Sequence, residues 1–138
     1  MIVVDTNLIV HLLVEVERTQ RAETVFHRDP EWSAPLLWRS EFHNVLAPYV
    51  RHGLLSLSEA HQTMQDAETL MQGKEYEVSS AQVISLAASS RCSAYDCEFV
   101  ALAQHLVVPL VTSDGQVLSA FPSTAVSVDN FNAYRVLH

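Results

Sequence analysis

Four acidic side chains far apart in the chain, Asp5, Glu41, Asp96 and Asp114, stand where local patterning would bring them to one edge of a folded domain. Asp5 directly follows Ile2-Val3-Val4, and Asp114 follows Leu110-Val111-Thr112-Ser113. Short β-branched runs of this kind read as buried strands, so both carboxylates should emerge at the carboxyl edge of a parallel sheet. Asp96 opens a helical stripe continued by Val100, Ala103 and Val107, which turns its carboxylate toward the sheet and places it at a helix N-terminus, where negative charge is favoured. Glu41 precedes the stripe beginning at Phe42 and shares a helix face with Val45. Singly, each acid has an ordinary explanation: a cap for Asp5 and Asp96, a Ser-Asp-Gly turn for Asp114, a solvated helix position for Glu41. Together they would repel one another unless a cation intervened. An oxygen-only set without Cys or His suits Mg²⁺ or Mn²⁺, and the chemistry such a set supports is metal-assisted phosphoryl transfer.

The elements that must position these acids alternate in type. After the first strand, Ile9, Leu12, Leu13 and Val16 recur at helical spacing, with Thr6 or Asn7 available as a cap, and a second short helix carries Ala22, Val25 and Phe26 inward. Beyond Asp29-Pro30, the residues Phe42, Val45, Leu46, Tyr49 and Val50 form an apolar stripe ending near Gly53, in a helix that Pro48 should kink. A further helix after Ser56 or Ser58 repeats Ala60, Met64, Ala67 and Met71, completing a protruding helical hairpin. Tyr76-Glu77-Val78 reads as a short strand. Ser79 to Gln82 supply a capping pattern for a helix carrying Val83, Ile84, Ala87 and Ala88. The Asp96 helix, the strand at Pro109 to Thr112, a short helix through Val117 and Leu118, a strand near Ala125 to Val128 and a short tail follow. Strands separated by helices imply an α/β fold, a three-layer sandwich around a mainly parallel sheet of about four or five strands. Chemistry in such sheets gathers at the carboxyl ends of the strands.

At 138 residues the chain fits one domain, residues 1–138, and its 49% hydrophobic content is that of a packed protein. The opening apolar run has no basic leader and is interrupted by Asp5, and no apolar stretch is long enough to span a bilayer, so a cytoplasmic location is expected. Cys92 and Cys97 are too few for a secreted disulfide framework and are expected as free thiols. The formal charge of −8 cuts against a nucleic-acid reading, since a sequence-independent binder normally carries a basic stripe and this sequence shows none. His11, His27, His61, His105 and His138 lack paired metal spacing and read as surface or satisfied histidines. Glu98, two positions from Asp96, should face away from the cluster, and Trp32 and Trp38 read as core or interface aromatics.

Four segments, in order and spanning the whole chain, carry a family resemblance: Val4-Asp5-Thr6-Asn7; Ser40-Glu41-Phe42; Ala94-Tyr95-Asp96 through Ala101-Leu102-Ala103; and Leu110-Val111-Thr112-Ser113-Asp114. They resemble the motifs of the PIN-domain family, and among its members the VapC-type toxins. The resemblance implies a metal-dependent endoribonuclease in which Asp5, Glu41, Asp96 and Asp114 hold Mg²⁺ or Mn²⁺, with Thr6, Asn7 and Thr112 fixing the cluster or contacting phosphate. It further implies cleavage that leaves a 5′-phosphate, an RNA substrate, a homodimer and a small antitoxin partner. The apolar hairpin from Phe42 to Met71 would suit either protein contact. Many relatives follow the last acid with Lys or Arg, where this chain has Gly115-Gln116. Substrate grip is therefore sought on the Glu41 helix, in Arg39, Arg51, His43 and His52.

Two other readings compete. A haloacid-dehalogenase-like phosphatase would use an Asp after the first strand as nucleophile, but it needs an acid where Asn7 stands and a catalytic Lys, and Lys74 is the only lysine. A non-catalytic PIN-fold module binding RNA or protein would keep the acids without turnover.

Overall fold

A computed structural model describes residues 1–14 and 17–133. The helical position expected for Val16 and the surface position expected for His138 lie outside the described residues. The chain opens with β1 (Ile2–Val4), α1 (Thr6–Leu13) and α2 (Thr19–Arg28), continues through β2 (Trp32–Pro35), α3 (Trp38–Arg51) and α4 (Leu57–Met71), and reaches β3 (Glu75–Tyr76). The second half comprises α5 (Ser80–Ala88), α6 (Ala94–Leu106), β4 (Leu110–Thr112), α7 (Gly115–Ala120), β5 (Ala125–Ser127) and α8 (Val128–Ala133).

The five strands form one sheet in the order β3-β2-β1-β4-β5, with every neighbouring pair parallel. Val3 lies opposite Ser33 on one side and Leu110 on the other, which makes β1 the centre of the sheet. An all-parallel sheet must be covered on both faces, and β1, β2 and β4 are buried throughout. On one side α1 packs with α2, α3 and α4, and α2 with α8; α6, backed by α5, lies across β1, β2 and β4. This is the layered α/β arrangement expected from the alternation of elements. From β1 the chain builds outward through β2 to β3, then returns to lay β4 on the other side of β1. That reversal opens a crevice beyond the carboxyl ends of β1 and β4, the place where ligands bind in such sheets.

Several local expectations are corrected. β2 is invisible to a search for β-branched runs because its residues are Trp32-Ser33-Ala34-Pro35; it is a strand because both faces are covered, each residue being buried. The β3 strand spans Glu75–Tyr76 and stops before Val78, and α8 occupies part of what reads as a tail. Val107 is 86% exposed rather than buried, since it is the left-handed cap that ends α6, with φ of 57°. Ile84 also faces outward, at 66% exposure. The first helix is capped by Asp5, not by Thr6 or Asn7.

The hairpin of α3 and α4 forms as expected, with Ser56 and Glu59 making a reciprocal capping box at the start of α4. Phe42, Leu46, Ala60, Ala67 and Met71 are buried, so the domain absorbs most of the apolar stripe. Leu54 and Leu57 remain exposed where the two helices join. α3 runs on past Pro48 as one helical segment. Trp32 and Trp38 are wholly buried, in edge-on contact with Phe26 and Phe42, and Cys92 and Cys97 are free and buried. No described helix is long and apolar enough to cross a membrane.

Candidate active site

The crevice at the reversal point is a cleft of about 250 Å³ whose walls include Asp5, Glu41, Asp96 and Asp114. Four elements deliver them: the end of β1, the first turn of α3, the first turn of α6 and the turn that follows β4. Residues 5 and 114 are neighbours because β1 and β4 pair in register, Val4 opposite Val111, so each strand expels its following acid over the same edge.

Hydrogen bonds hold the carboxylates in place. Asp5 Oδ1 accepts from the Leu8 amide at 2.9 Å and Oδ2 from Thr112 Oγ1 at 2.6 Å. The same Thr112 hydroxyl accepts from the Asp114 amide at 3.0 Å, tying the two strand ends together through one side chain. Asp114 Oδ1 in turn accepts from the Gln116 and Val117 amides, capping α7. Thr6 Oγ1 donates to Glu41 Oε1 at 2.7 Å across the gap between α1 and α3. Thr6 and Thr112 are both buried, so these bonds are shielded from water and hold the carboxylates in place. Asp96 is placed at the start of its helix by Ser93, whose hydroxyl accepts from the Asp96 amide and whose side chain and backbone in turn hydrogen-bond the Asp96 carboxylate.

Burial and crowding raise the pKa of three of the acids. For Asp5 the main cause is desolvation, opposed by the bonds from Thr112 and Leu8 and reinforced by Asp114. Burial also leads for Glu41, ahead of the Thr6 bond, which lowers it, and the charges of Asp96, Asp5 and Glu98, which raise it. Asp96 is raised by burial and then by Asp114. Carboxylates in this condition favour any cation that can enter. The donor set, four carboxylates with Asn7 and Asn44 at the walls and neither Cys nor His, fits a hard oxygen-seeking divalent ion. Among the described residues no three such acids converge as a ready-made cage, so a bound ion would complete its shell with water.

Of the supporting residues expected from sequence, Thr6, Asn7 and Thr112 all line the cleft. The basic candidates do not. Arg39 is committed elsewhere: its guanidinium donates to Glu75 and, at 2.8 Å, to Glu68, with the Trp38 indole N–H donating to Glu75 as well. Glu75 is held below the usual carboxylate range, chiefly by Arg39. Arg39 therefore pins α3 to α4 and β3, and Arg39→Ala is expected to cost about 1 kcal/mol of stability, the upper end for a partly exposed pair. Chemical unfolding checks the cost, and an RNA affinity that dropped with no loss of stability would contradict the assignment. His43, Arg51 and His52 are exposed on α3 or at its end, outside the cleft lining.

Two residues escape a reading of the sequence. Asn44 lines the cleft one turn beyond Glu41, and the three-residue spacing is the available signal. His11, an ordinary surface histidine by its sequence spacing, is half-buried beside the cleft, its pKa lowered by burial and then by Arg18 and Arg21. Glu98 lines a different depression with Leu36, Tyr76 and Ile84, as expected, although its charge still reaches Glu41.

Comparison with known proteins is consistent across sequence and structure. Residues 3–129 match the model of the PIN domain family. The chain is 30% identical over 126 residues to Ribonuclease VapC3 of Pyrobaculum aerophilum, covering 88% of this chain and 95% of that protein. Its fold is similar to that of PAE2754 from Pyrobaculum aerophilum, with a TM-score of 0.75 at 18% identity, covering 96% of this chain and 93% of that one. It also resembles a chain of a toxin–antitoxin complex from Klebsiella pneumoniae, with a TM-score of 0.68 at 16% identity, covering 93% and 98% respectively.

Proposed function

This chain belongs to the PIN-domain family, and from that membership and the acidic cleft we propose that it is a metal-dependent endoribonuclease, the toxin of a toxin–antitoxin pair. The observation that carries the reading is the meeting of Asp5, Glu41, Asp96 and Asp114 in one cleft from four separate elements. Similarity to a protein named a ribonuclease selects RNA among phosphodiesters. Asp5, Glu41, Asp96 and Asp114 would hold Mg²⁺ or Mn²⁺, which when bound supplies Lewis-acid polarisation of a phosphate and a more acidic water.

The protein's own residues supply position and proton transfer. Thr112 orients Asp5 and the Asp114 backbone together, and Thr6 orients Glu41, so the carboxylates need little rearrangement as substrate arrives. Asn7 and Asn44, whose amides can donate, border the cleft where a phosphate would lie. Water attacks phosphorus in line with the departing oxygen, its proton passing to a cleft carboxylate. The bond from phosphorus to the 3′ oxygen breaks, leaving a 5′-phosphate on one fragment and, after protonation from solvent, a 3′-hydroxyl on the other.

The partners follow from the same reading. An antitoxin is proposed from the toxin–antitoxin complex among the structural relatives, with action in the cytoplasm. A homodimer would use the hairpin of α3 and α4, which exposes Leu54 and Leu57 at its tip; size measurements showing monomer alone at micromolar concentration would remove it. The activity is tested by incubating the purified protein with structured RNA and Mn²⁺, with and without a chelator. Cleavage that the chelator stops, giving 5′-phosphate ends, is expected. No cleavage of any RNA tried would favour the non-catalytic binding module.

A further inference from the structure

The acid cleft continues past its own margin. Asn7 and Val45, which line it, also line a second depression running between α1 and α3 to His11 and Tyr49, with Arg18 at its far end. The continuity has a simple origin in helix geometry. Glu41, Val45 and Tyr49 follow one another at four-residue intervals on α3, as Asn7 and His11 do on α1, so each helix shows one face along the same path. At the α-helical rise, the step from Glu41 to Tyr49 is roughly 12 Å.

The chemistry of the path changes along its length. It begins with carboxylates, passes the Asn7 amide, and reaches a half-buried phenol ring, a half-buried imidazole and a guanidinium. Arg18 is exposed and forms no ion pair with another described residue, whereas Arg21 is paired with Asp129 and Arg39 with Glu68 and Glu75. In a chain of net charge −8, a guanidinium with no ion pair among the described residues, lining with an aromatic ring a groove that leads to the acid cluster, is a specific arrangement. A cation and an aromatic ring along one groove is the pattern by which proteins hold a single nucleic-acid strand.

We propose that this groove seats the single-stranded RNA that flanks the scissile phosphodiester, Arg18 pairing with a backbone phosphate and the Tyr49 ring stacking on a base. The proposal rests on the ribonuclease reading and adds to it the strand's path and two substrate-contacting residues. It also supplies the cation that Gly115-Gln116 does not provide after the last acid. Glu17, which lines the same end of the groove, opposes the phosphate and limits the grip. His11, kept in its neutral form by burial and by Arg18 and Arg21, offers one donor and one acceptor to a base edge or ribose without adding charge.

Cleavage of randomised single-stranded RNA in Mn²⁺, followed for KM and kcat across a salt series, tests this. Tyr49→Leu is expected to raise KM roughly fivefold to a hundredfold, the range for loss of one stacked base. Arg18→Ala is expected to raise KM and to flatten the dependence of log KM on log salt by about 0.7, the counterion release of one phosphate contact to a single strand. Glu17→Gln should lower KM, a direction that damage to the fold would not produce. Lys74→Ala, which removes one positive charge before β3 at the opposite edge of the sheet, should match wild type. If Tyr49→Leu proves unfolded by thermal melting, Arg18→Ala and Glu17→Gln decide. Wild-type protein that cuts RNA while both of these variants keep its KM and salt dependence overturns the groove and leaves the nuclease standing. Wild-type protein that cuts no RNA overturns both.

Discussion

Asp5→Asn is expected to slow RNA cleavage by about a thousandfold, the scale of losing one essential charged group from an organised site. The substitution removes the charge and keeps the helix cap. An asparagine side chain retains an oxygen that can accept from the Leu8 amide and cap α1, as Asp5 does now. The Asn Nδ2 then stands where Oδ2 accepted from the Thr112 hydroxyl, and it keeps the tie between β1 and β4 only by donating to Thr112 Oγ1, which must turn from donor to acceptor. Single-turnover assays with the wild-type protein and the Asp5→Asn variant at matched concentration measure the loss. Asp96→Asn should behave alike, and the double substitution should be little worse than either single one, because carboxylates that act as a unit are lost as a unit. Equal cleavage by wild type and Asp5→Asn would mean the activity belonged to a contaminant.

Binding of Mn²⁺ or Mg²⁺ should raise the unfolding temperature strongly at neutral pH and hardly at all in acid. A ligand present at a hundredfold excess over its Kd adds about 2.7 kcal/mol to stability, which for a chain of this size is roughly 10 °C. The pH dependence comes from the carboxylates themselves. Asp5, Glu41 and Asp96 have pKa values raised in the folded protein, chiefly by burial. Between the ordinary carboxylate pKa near about 4 and those raised values, the folded chain binds protons that the unfolded chain has released. Without a cation, stability therefore falls as pH rises through this window, and above it the charged acids carry the full penalty of burial and mutual repulsion. A divalent ion relieves that penalty where it is largest; in acid, protons already relieve it. By the same reasoning Asp5→Asn should melt no lower than wild type in chelator, while losing most of the gain from Mn²⁺. Melting curves with and without Mn²⁺ across the pH range check this, and a wild-type midpoint indifferent to Mn²⁺ at neutral pH would contradict it.

The parts of this fold that can be read from sequence are those whose signal is local. β1 and β4 announce themselves as β-branched runs ending in acids, and the pairing of such strands at the centre of a parallel sheet places Asp5 and Asp114 together. The Asp96 and Glu41 helices carry stripes long enough to show which way they face. What escapes is set by tertiary context. Trp32-Ser33-Ala34-Pro35 has no strand signature; its strand is set by pairing with β1 and β3 and by the cover on both of its faces. Val107 extends the α6 stripe by period, yet the helix ends there in a left-handed turn before Pro109. Arg39 looks like a free cation close to Glu41 until Glu68 and Glu75 arrive from far along the chain. The groove past Val45 is equally nonlocal: Arg18 and Tyr49 come to line one depression only when α2 and α3 are folded beside α1.

The proposed binding of a divalent ion in the cleft of these four carboxylates is tested most directly by Mn²⁺ titration followed by its paramagnetic resonance, which loses free-ion signal as the ion binds. Saturable binding to the wild-type protein is expected, strongly weakened in each of Asp5→Asn, Glu41→Gln, Asp96→Asn and Asp114→Asn. Wild-type binding that persists undiminished in all four variants would place the ion elsewhere and contradict the assignment of this cleft.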